Sequence, residues 1–217
     1  MAEWLNSFFA NYDGAIFDAM HSLAESAGGF FTPFFKLVTL IGEKGIIFFV
    51  ASIVLMLFKP TRKFGVCLFG AVACGALITS VILKDVIARP RPMTDPTYTA
   101  FWQAVGSPAE DGYSFPSGHV TAVAAWATAM LLCCNKKWSW VGYIGVIVMA
   151  ISRVYLIAHY ASDTLARIIV GTLSGVVAYL IANLIFRLLE KYKENKFCYF
   201  LLEWDVSQIG KNKQEKA

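Results

Sequence analysis

Five apolar runs set the limits on what this chain can become. They cover about residues 45–58, 64–83, 120–134, 138–157 and 164–186, against the roughly 20 residues a helix needs to cross a bilayer. The first and third are short and must borrow flanking residues. A sixth run, about 27–41, is marginal because it carries Pro33 and Lys36. A hydrophobic share of 57% against a charged share of 16% is far from that of a soluble domain. The alternation of a membrane barrel is missing. The expected fold is therefore all-α, a polytopic membrane bundle of about six transmembrane helices.

Three regions are expected along the chain. Residues 1–28 mix aromatics with Asp13 and Asp18 and read as an amphipathic, interfacial segment. Residues 29–187 form the transmembrane domain, and 188–217 a basic cytoplasmic tail diluted by acidic residues. No positively charged start of a cleavable signal is present, since the first basic residue is Lys36. Cys67, Cys74, Cys133, Cys134 and Cys198 have no metal-site spacing and read as packing residues. Gly171 and Gly175 form a small-xxx-small pair, expected to pack inside the bundle.

Basic residues orient the bundle. Lys59, Arg62 and Lys63, then Lys136 and Lys137, then the tail from Arg187 fall on one side if the five runs span. That side is expected to be cytoplasmic, and the loop 89–116 and the turn 158–163 lie opposite. The net charge of +4 is thus placed by topology and implies no nucleic-acid partner.

Three clusters at the opposite side carry chemistry. Lys84, Arg89 and Arg91 run against the positive-inside bias, beside Pro90 and Pro92. A lone Lys or Arg there would simply snorkel, but three within eight positions suggest an anion site. Phe115-Pro116-Ser117-Gly118-His119 opens an apolar run. Small residues at a helix start bare backbone N–H groups for an anion, and the adjacent imidazole can donate a proton. Ser152-Arg153, His159 and Asp163 follow, with the i, i+4 spacing that puts His159 and Asp163 on one helical face. A carboxylate bonded to one ring nitrogen leaves the other free to attack. Cations, an acid and an oriented nucleophile at one end of the bundle point to phosphoryl transfer. Asp95, Glu110 and Asp111 in the outer loop are placed to shape access to the site, but a solvated loop face is the default reading.

The spacing Lys84-x6-Arg91-Pro92, Pro116-Ser117-Gly118-His119 and Ser152-Arg153-x5-His159-x3-Asp163 resembles the three signature motifs of the type 2 phosphatidic acid phosphatase superfamily. The resemblance implies that His159 attacks phosphorus, that Asp163 orients it, and that His119 protonates the leaving oxygen and then activates water. It implies that Lys84, Arg91, Ser117, Gly118 and Arg153 hold the phosphoryl oxygens, with no metal and no cofactor. Ala161 stands where a proline is frequent in that family, and Arg167 where glycine is frequent. Arg167, one turn past Asp163, is within reach of a second phosphate or a lipid head group, but the expectation is that it snorkels or pairs with a carboxylate.

The implied activity is hydrolysis of a lipid phosphate or diphosphate in a bacterial plasma membrane, with the site facing outward. Undecaprenyl diphosphate is the expected substrate, and phosphatidylglycerophosphate or phosphatidic acid the alternatives. An alternative of another class is a lipid-phosphate binding or transport protein on the same scaffold. The sequence points to no protein partner.

Overall fold

A computed structural model describes residues 1–79, 84–115, 118–134 and 136–208, apart from the side chains of Lys44, Lys84, Asp85 and Lys136. Within these residues the apolar runs are helical and no strand is present. The elements are α1 (Ala2–Ile41), α2 (Ile46–Met56), α3 (Arg62–Leu77), α4 (Lys84–Ile87), α5 (Pro96–Val105), α6 (Gly118–Cys133), α7 (Lys136–Ser139), α8 (Val141–Tyr155), α9 (Ala161–Lys191) and α10 (Lys196–Glu203). The all-α class holds. The helix count is less regular than six equal spans. Among the described residues only Lys137–Tyr155 and Ala161–Lys191 are each long and apolar enough to cross, and α1 with α2 makes a third candidate as a bent pair.

The centre is built from α3, α6 and α9, with α2 on α3 and α8 on α6. Close approach of α6 and α9 depends on small side chains, because two apolar helices in lipid gain mainly from tight packing. A Cβ on Gly171 would lie 2.6 Å from both Ala124 Cβ and Thr121 O, and one on Gly175 2.6 Å from Thr128 Cβ. The glycine pair is therefore a packing seam within the bundle, as the sequence predicts. Polar side chains along the seam close on their own helices, Thr128 Oγ1 donating to Ala124 O and Ser174 Oγ to Val170 O. Neither leaves an unpaired group facing hydrocarbon. Gly171→Leu is expected to destabilise the purified protein by about 1–3 kcal/mol through overpacking. Thermal unfolding in detergent checks this, and an unchanged midpoint would deny the seam its role.

α1 is broken by a kink at Ala27 (φ −143°), next to the division expected at residue 28, whereas α9 runs on through residue 187 to Lys191. The kink gives α1 two jobs. Its first half lies over the end that carries the candidate site, with Asp13 and Phe17 buried there. Its second half descends α8, where Thr32 Oγ1 meets Tyr155 Oη at 2.7 Å and Phe35 stacks obliquely on the same ring. At the other end, α10 folds back on the α2–α3 turn. Lys59 pairs with Glu203, and the Arg62 guanidinium donates to the carbonyls of Leu201, Leu202 and Trp204. Part of the expected solvated tail is thus docked.

Candidate active site

His159 sits in the short connection between α8 and α9. Tight chain reversal forces Ile157 to φ 55°, an unfavourable conformation for a β-branched residue that costs on the order of 1–3 kcal/mol. Arg153 O accepts from the N–H groups of both Ala158 and His159, at 3.1 and 3.3 Å, and so anchors the turn. Ala88, immediately before Arg89, is the other described non-glycine residue with positive φ (45°). Backbone strain thus flanks two of the three clusters.

Asp163, the third residue of α9, is buried, and its carboxylate partly caps its own helix by accepting from Tyr160 N at 3.3 Å. Negative charge is favourable at that position. Its Oδ1 accepts from Arg89 Nη1 at 2.7 Å and its Oδ2 from Ser114 Oγ. No hydrogen bond joins Asp163 directly to His159 among the described residues. Ser114 stands between them, its Oγ 3.3 Å from His159 Nδ1. The direct carboxylate–imidazole contact expected from the i, i+4 spacing is replaced by this bridge, because the carboxylate is committed to Arg89, Ser114 and the helix start.

His159 is fully buried, and burial pushes its pKa well below the ordinary value, with Arg167, Arg153 and Arg91 adding to the effect. A neutral imidazole is what a nucleophile requires. Arg167 does not snorkel. It is fully buried, its Nη2 lies 2.8 Å from His159 Nδ1 and donates to Ser114 O, and it stands 3.9 Å from Asp163 Oδ2. A guanidinium has no acceptor. His159 Nδ1 therefore accepts in this arrangement, and Nε2 carries the ring proton.

Arg89 has the role the sequence left open. It is buried and donates to Asp163 Oδ1, Ser162 Oγ (2.8 Å), Asp13 Oδ2 (2.9 Å) and Asn6 Oδ1 (2.7 Å), with its guanidinium 3.8 Å from the Tyr160 ring centroid. Asp13 also accepts from Ser162 N and Oγ, at 2.8 and 2.7 Å. The first half of α1 is tied by this network to the start of α9. Asp13 and Ser114 had no motif to mark them, although an acidic residue within an aromatic-rich helix was the available signal for Asp13.

Arg91 and Arg153 meet at Glu110. Arg91 Nη1 lies 2.9 Å from Glu110 Oε2, and Arg153 Nη2 donates to Glu110 Oε1. Arg91 also donates to the carbonyls of Ala158, Asp111 and Gly112, at 3.0, 3.1 and 3.1 Å. Burial alone would raise the Glu110 pKa, but the charge and hydrogen bond of Arg153, then Arg91, outweigh it and hold the group below its usual range. A cavity of about 780 Å³ opens here, lined by Arg91, Glu110, His119 and, from α1, Lys36 and Thr39. His119 in the first turn of α6 is half-buried, and Gly118 at the start of that helix is exposed.

The structure thus gathers Arg91, His119, Arg153, His159 and Asp163 from the three sequence clusters at one end of the bundle. Ser117 and the side chain of Lys84 lie outside what is described. Among the described residues no group of three or more His, Cys, Asp and Glu is placed as a metal-ligand set. Buried guanidinium donors beside a neutral imidazole can bind a phosphoryl group and transfer it.

Comparison with known proteins gives a family. A family model described as the PAP2 superfamily matches residues 64–187. The chain is 34% identical over 121 residues to an undecaprenyl-diphosphatase of Sulfolobus acidocaldarius, covering 54% of this chain and 55% of that protein. It is 27% identical over 139 residues to a lipid A 4'-phosphatase of Porphyromonas gingivalis, covering 62% and 59%. A lipid A 1-phosphatase of the same organism is 39% identical over 77 residues, 34% of this chain and 17% of that protein. The match therefore spans a little over half the length of the first two relatives and about a sixth of the third. No solved structure matches.

Proposed function

The chain belongs to the PAP2 superfamily, and on that footing we propose that it removes the terminal phosphate of a lipid diphosphate through a phosphohistidine on His159. The observation that carries the reading is the meeting of Arg91 and His119 on one cavity with Glu110, which also holds Arg153, and with buried His159 anchored to Arg153 at the same end of the bundle. An apolar tail stays in the bilayer while the head group reaches the cations. The undecaprenyl-diphosphatase relative supports a polyprenyl diphosphate as substrate. The lipid A phosphatase relatives support a second reading, a phosphomonoester on a glycolipid.

In the proposed first step His159 Nε2 attacks phosphorus. The P–N bond forms as the P–O bond to the leaving group breaks, and His119 gives its proton to the leaving oxygen. Attack needs the lone pair on Nε2, so the ring proton must lie on Nδ1, facing Ser114 Oγ and through it Asp163. Arg167 has to leave Nδ1 for this tautomer to form, and an incoming phosphoryl group is the natural destination for its guanidinium. In the second step His119 takes a proton from water as the water attacks phosphorus and the P–N bond breaks. Lys84, Arg91, Arg153, Ser117 and the Gly118 N–H are assigned to the phosphoryl oxygens, because charge-assisted donors in a desolvated site supply the stabilisation.

The site is assigned to the extracytoplasmic face of the plasma membrane of a bacterium. Lys59, Lys63, Lys137 and Lys191 fall at the helix ends away from the site, which fits the positive-inside bias.

Phosphate release from a panel of polyprenyl diphosphate, lipid A, phosphatidylglycerophosphate and phosphatidic acid tests this reading. Turnover is expected to be greatest on the polyprenyl diphosphate, to persist in EDTA, and to be blocked by vanadate. Activity lost in EDTA and restored by Mg²⁺ would overturn the metal-free mechanism. No release from any of the four lipids would overturn the phosphatase reading.

A further inference from the structure

Two arginines assigned to phosphate share a carboxylate. Glu110 presents one oxygen to Arg91 Nη1 at 2.9 Å and the other to Arg153 Nη2. Its chelation of two guanidinium groups by two oxygens is the pattern by which such groups hold a phosphate. Glu110 also lines the cavity that opens on His119. Both arginines are buried, 9% and 0% exposed. Left without a counter-charge, two like charges in so desolvated a place would repel and lose their solvation without return. Yet the chain segment that supplies the carboxylate is a loop, residues 107–111, with no regular structure. Pro108, Ala109, Glu110 and Asp111 all face the cavity, so this wall is not pinned within a helix.

We propose that Glu110 is the resident counter-anion of the phosphate site, a carboxylate that Arg91 and Arg153 exchange for the phosphoryl oxygens of the substrate. The proposal rests on the phosphatase reading above for the identity of the substrate, and on geometry alone for the exchange. In the empty site Glu110 keeps the two cations paired and pre-positioned. An arriving phosphoryl group takes its place, and the loop carries Glu110 away from the arginines. When inorganic phosphate forms, the returning carboxylate competes with it and favours its departure. The negative charge that exchange requires is present at neutral pH, since Arg153 and Arg91 hold Glu110 ionised.

This device has a quantitative signature. If Glu110 must leave before any anion binds, it weakens every anion by one common factor, the ratio of the closed to the open site. A carboxylate that merely repelled anions from a distance would act in proportion to their charge. One that touched the substrate would strengthen binding.

The test is direct binding of inorganic phosphate, sulfate and orthovanadate to the purified full chain in detergent, by calorimetry, for wild type, Glu110→Gln and Glu110→Ala. Both variants are expected to bind all three anions more tightly by a similar factor, roughly 10–100-fold for the loss of charge-assisted hydrogen bonds. The anion-free Glu110→Ala protein should also unfold at lower temperature and recover when phosphate is added, because phosphate replaces the missing counter-charge. Unchanged or weaker binding in both variants would overturn the exchange, as would tightening confined to one anion. The readout needs no turnover. Failure of wild type to hydrolyse lipid phosphates would count against the proposed function, and failure of the variants to bind anions more tightly would count against the exchange.

Discussion

Phosphate release by the purified His159→Ala protein is expected to fall by no less than the roughly 10²–10⁴-fold that general acid–base help alone is worth. Losing the nucleophile removes the covalent route itself, and Ser114, Arg153 and Arg167, the polar neighbours of His159 among the described residues, are not placed to replace it. Ser114 Oγ is committed to Asp163, and Arg153 and Arg167 lack lone pairs to attack with. His119→Ala should be less complete, slowing both the departure of the leaving group and the entry of water. The two variants are expected to retain their folds. His159 Nε2 has no protein partner among the described residues, and its loss leaves Ser114, Asp163 and Arg89 bonded to one another. Wild-type rates in the His159→Ala protein would remove the mechanism.

The second large effect is expected at Arg89, whose hydrogen bonds go to Asn6, Asp13, Ser162 and Asp163. Arg89→Ala would leave Asp13 and Asp163 as two buried carboxylates without the cation between them. Breaking a buried pair by removing one partner typically costs about 3–5 kcal/mol. The variant should therefore unfold at lower temperature and also lose turnover, because Asp163 and Ser114 are no longer fixed opposite His159. The contribution of the N-terminal helix can be separated by a double-mutant cycle. Asp13→Asn and Arg89→Ala should together cost clearly less than the sum of the single changes, since each removes the same contact. Strict additivity in thermal unfolding and in turnover would show that α1 and the site are independent.

Much of this arrangement was legible in the chain because it is written in short-range patterns. The apolar runs gave α3, α6, α8 and α9, since lipid leaves the backbone no alternative to helix. The motif spacing singled out His119, Arg153, His159 and Asp163, and the fold brings all four to one end of the bundle. What was not legible depends on contacts with no local pattern. Asp13 reaches Ser162 across 149 positions and Arg89 across 76, and nothing near Asp13 announces either. Ser114 and Glu110 lie in a loop whose polar composition suits solvent equally well, and only the folded chain turns them toward the arginines. Arg167 was visible one turn past Asp163, but spacing alone could not separate snorkelling from burial against His159. The bridge through Ser114 is the clearest departure. The shared helical face was misread, because α9 begins at Ala161 and His159 lies in the turn before it, and Arg89 and the helix start take up the Asp163 carboxylate.

The most direct measurement of the central claim is capture of the intermediate. A polyprenyl diphosphate labelled in its terminal phosphate would be mixed with wild type, His119→Ala and His159→Ala protein and quenched in base within milliseconds to seconds. Wild type should carry label that survives base and is lost in acid, on the peptide containing His159. His119→Ala should hold that label longer, because water is no longer activated, and His159→Ala should hold none. Label that persists in His159→Ala, or steady turnover by wild type with no label on His159, would contradict the account.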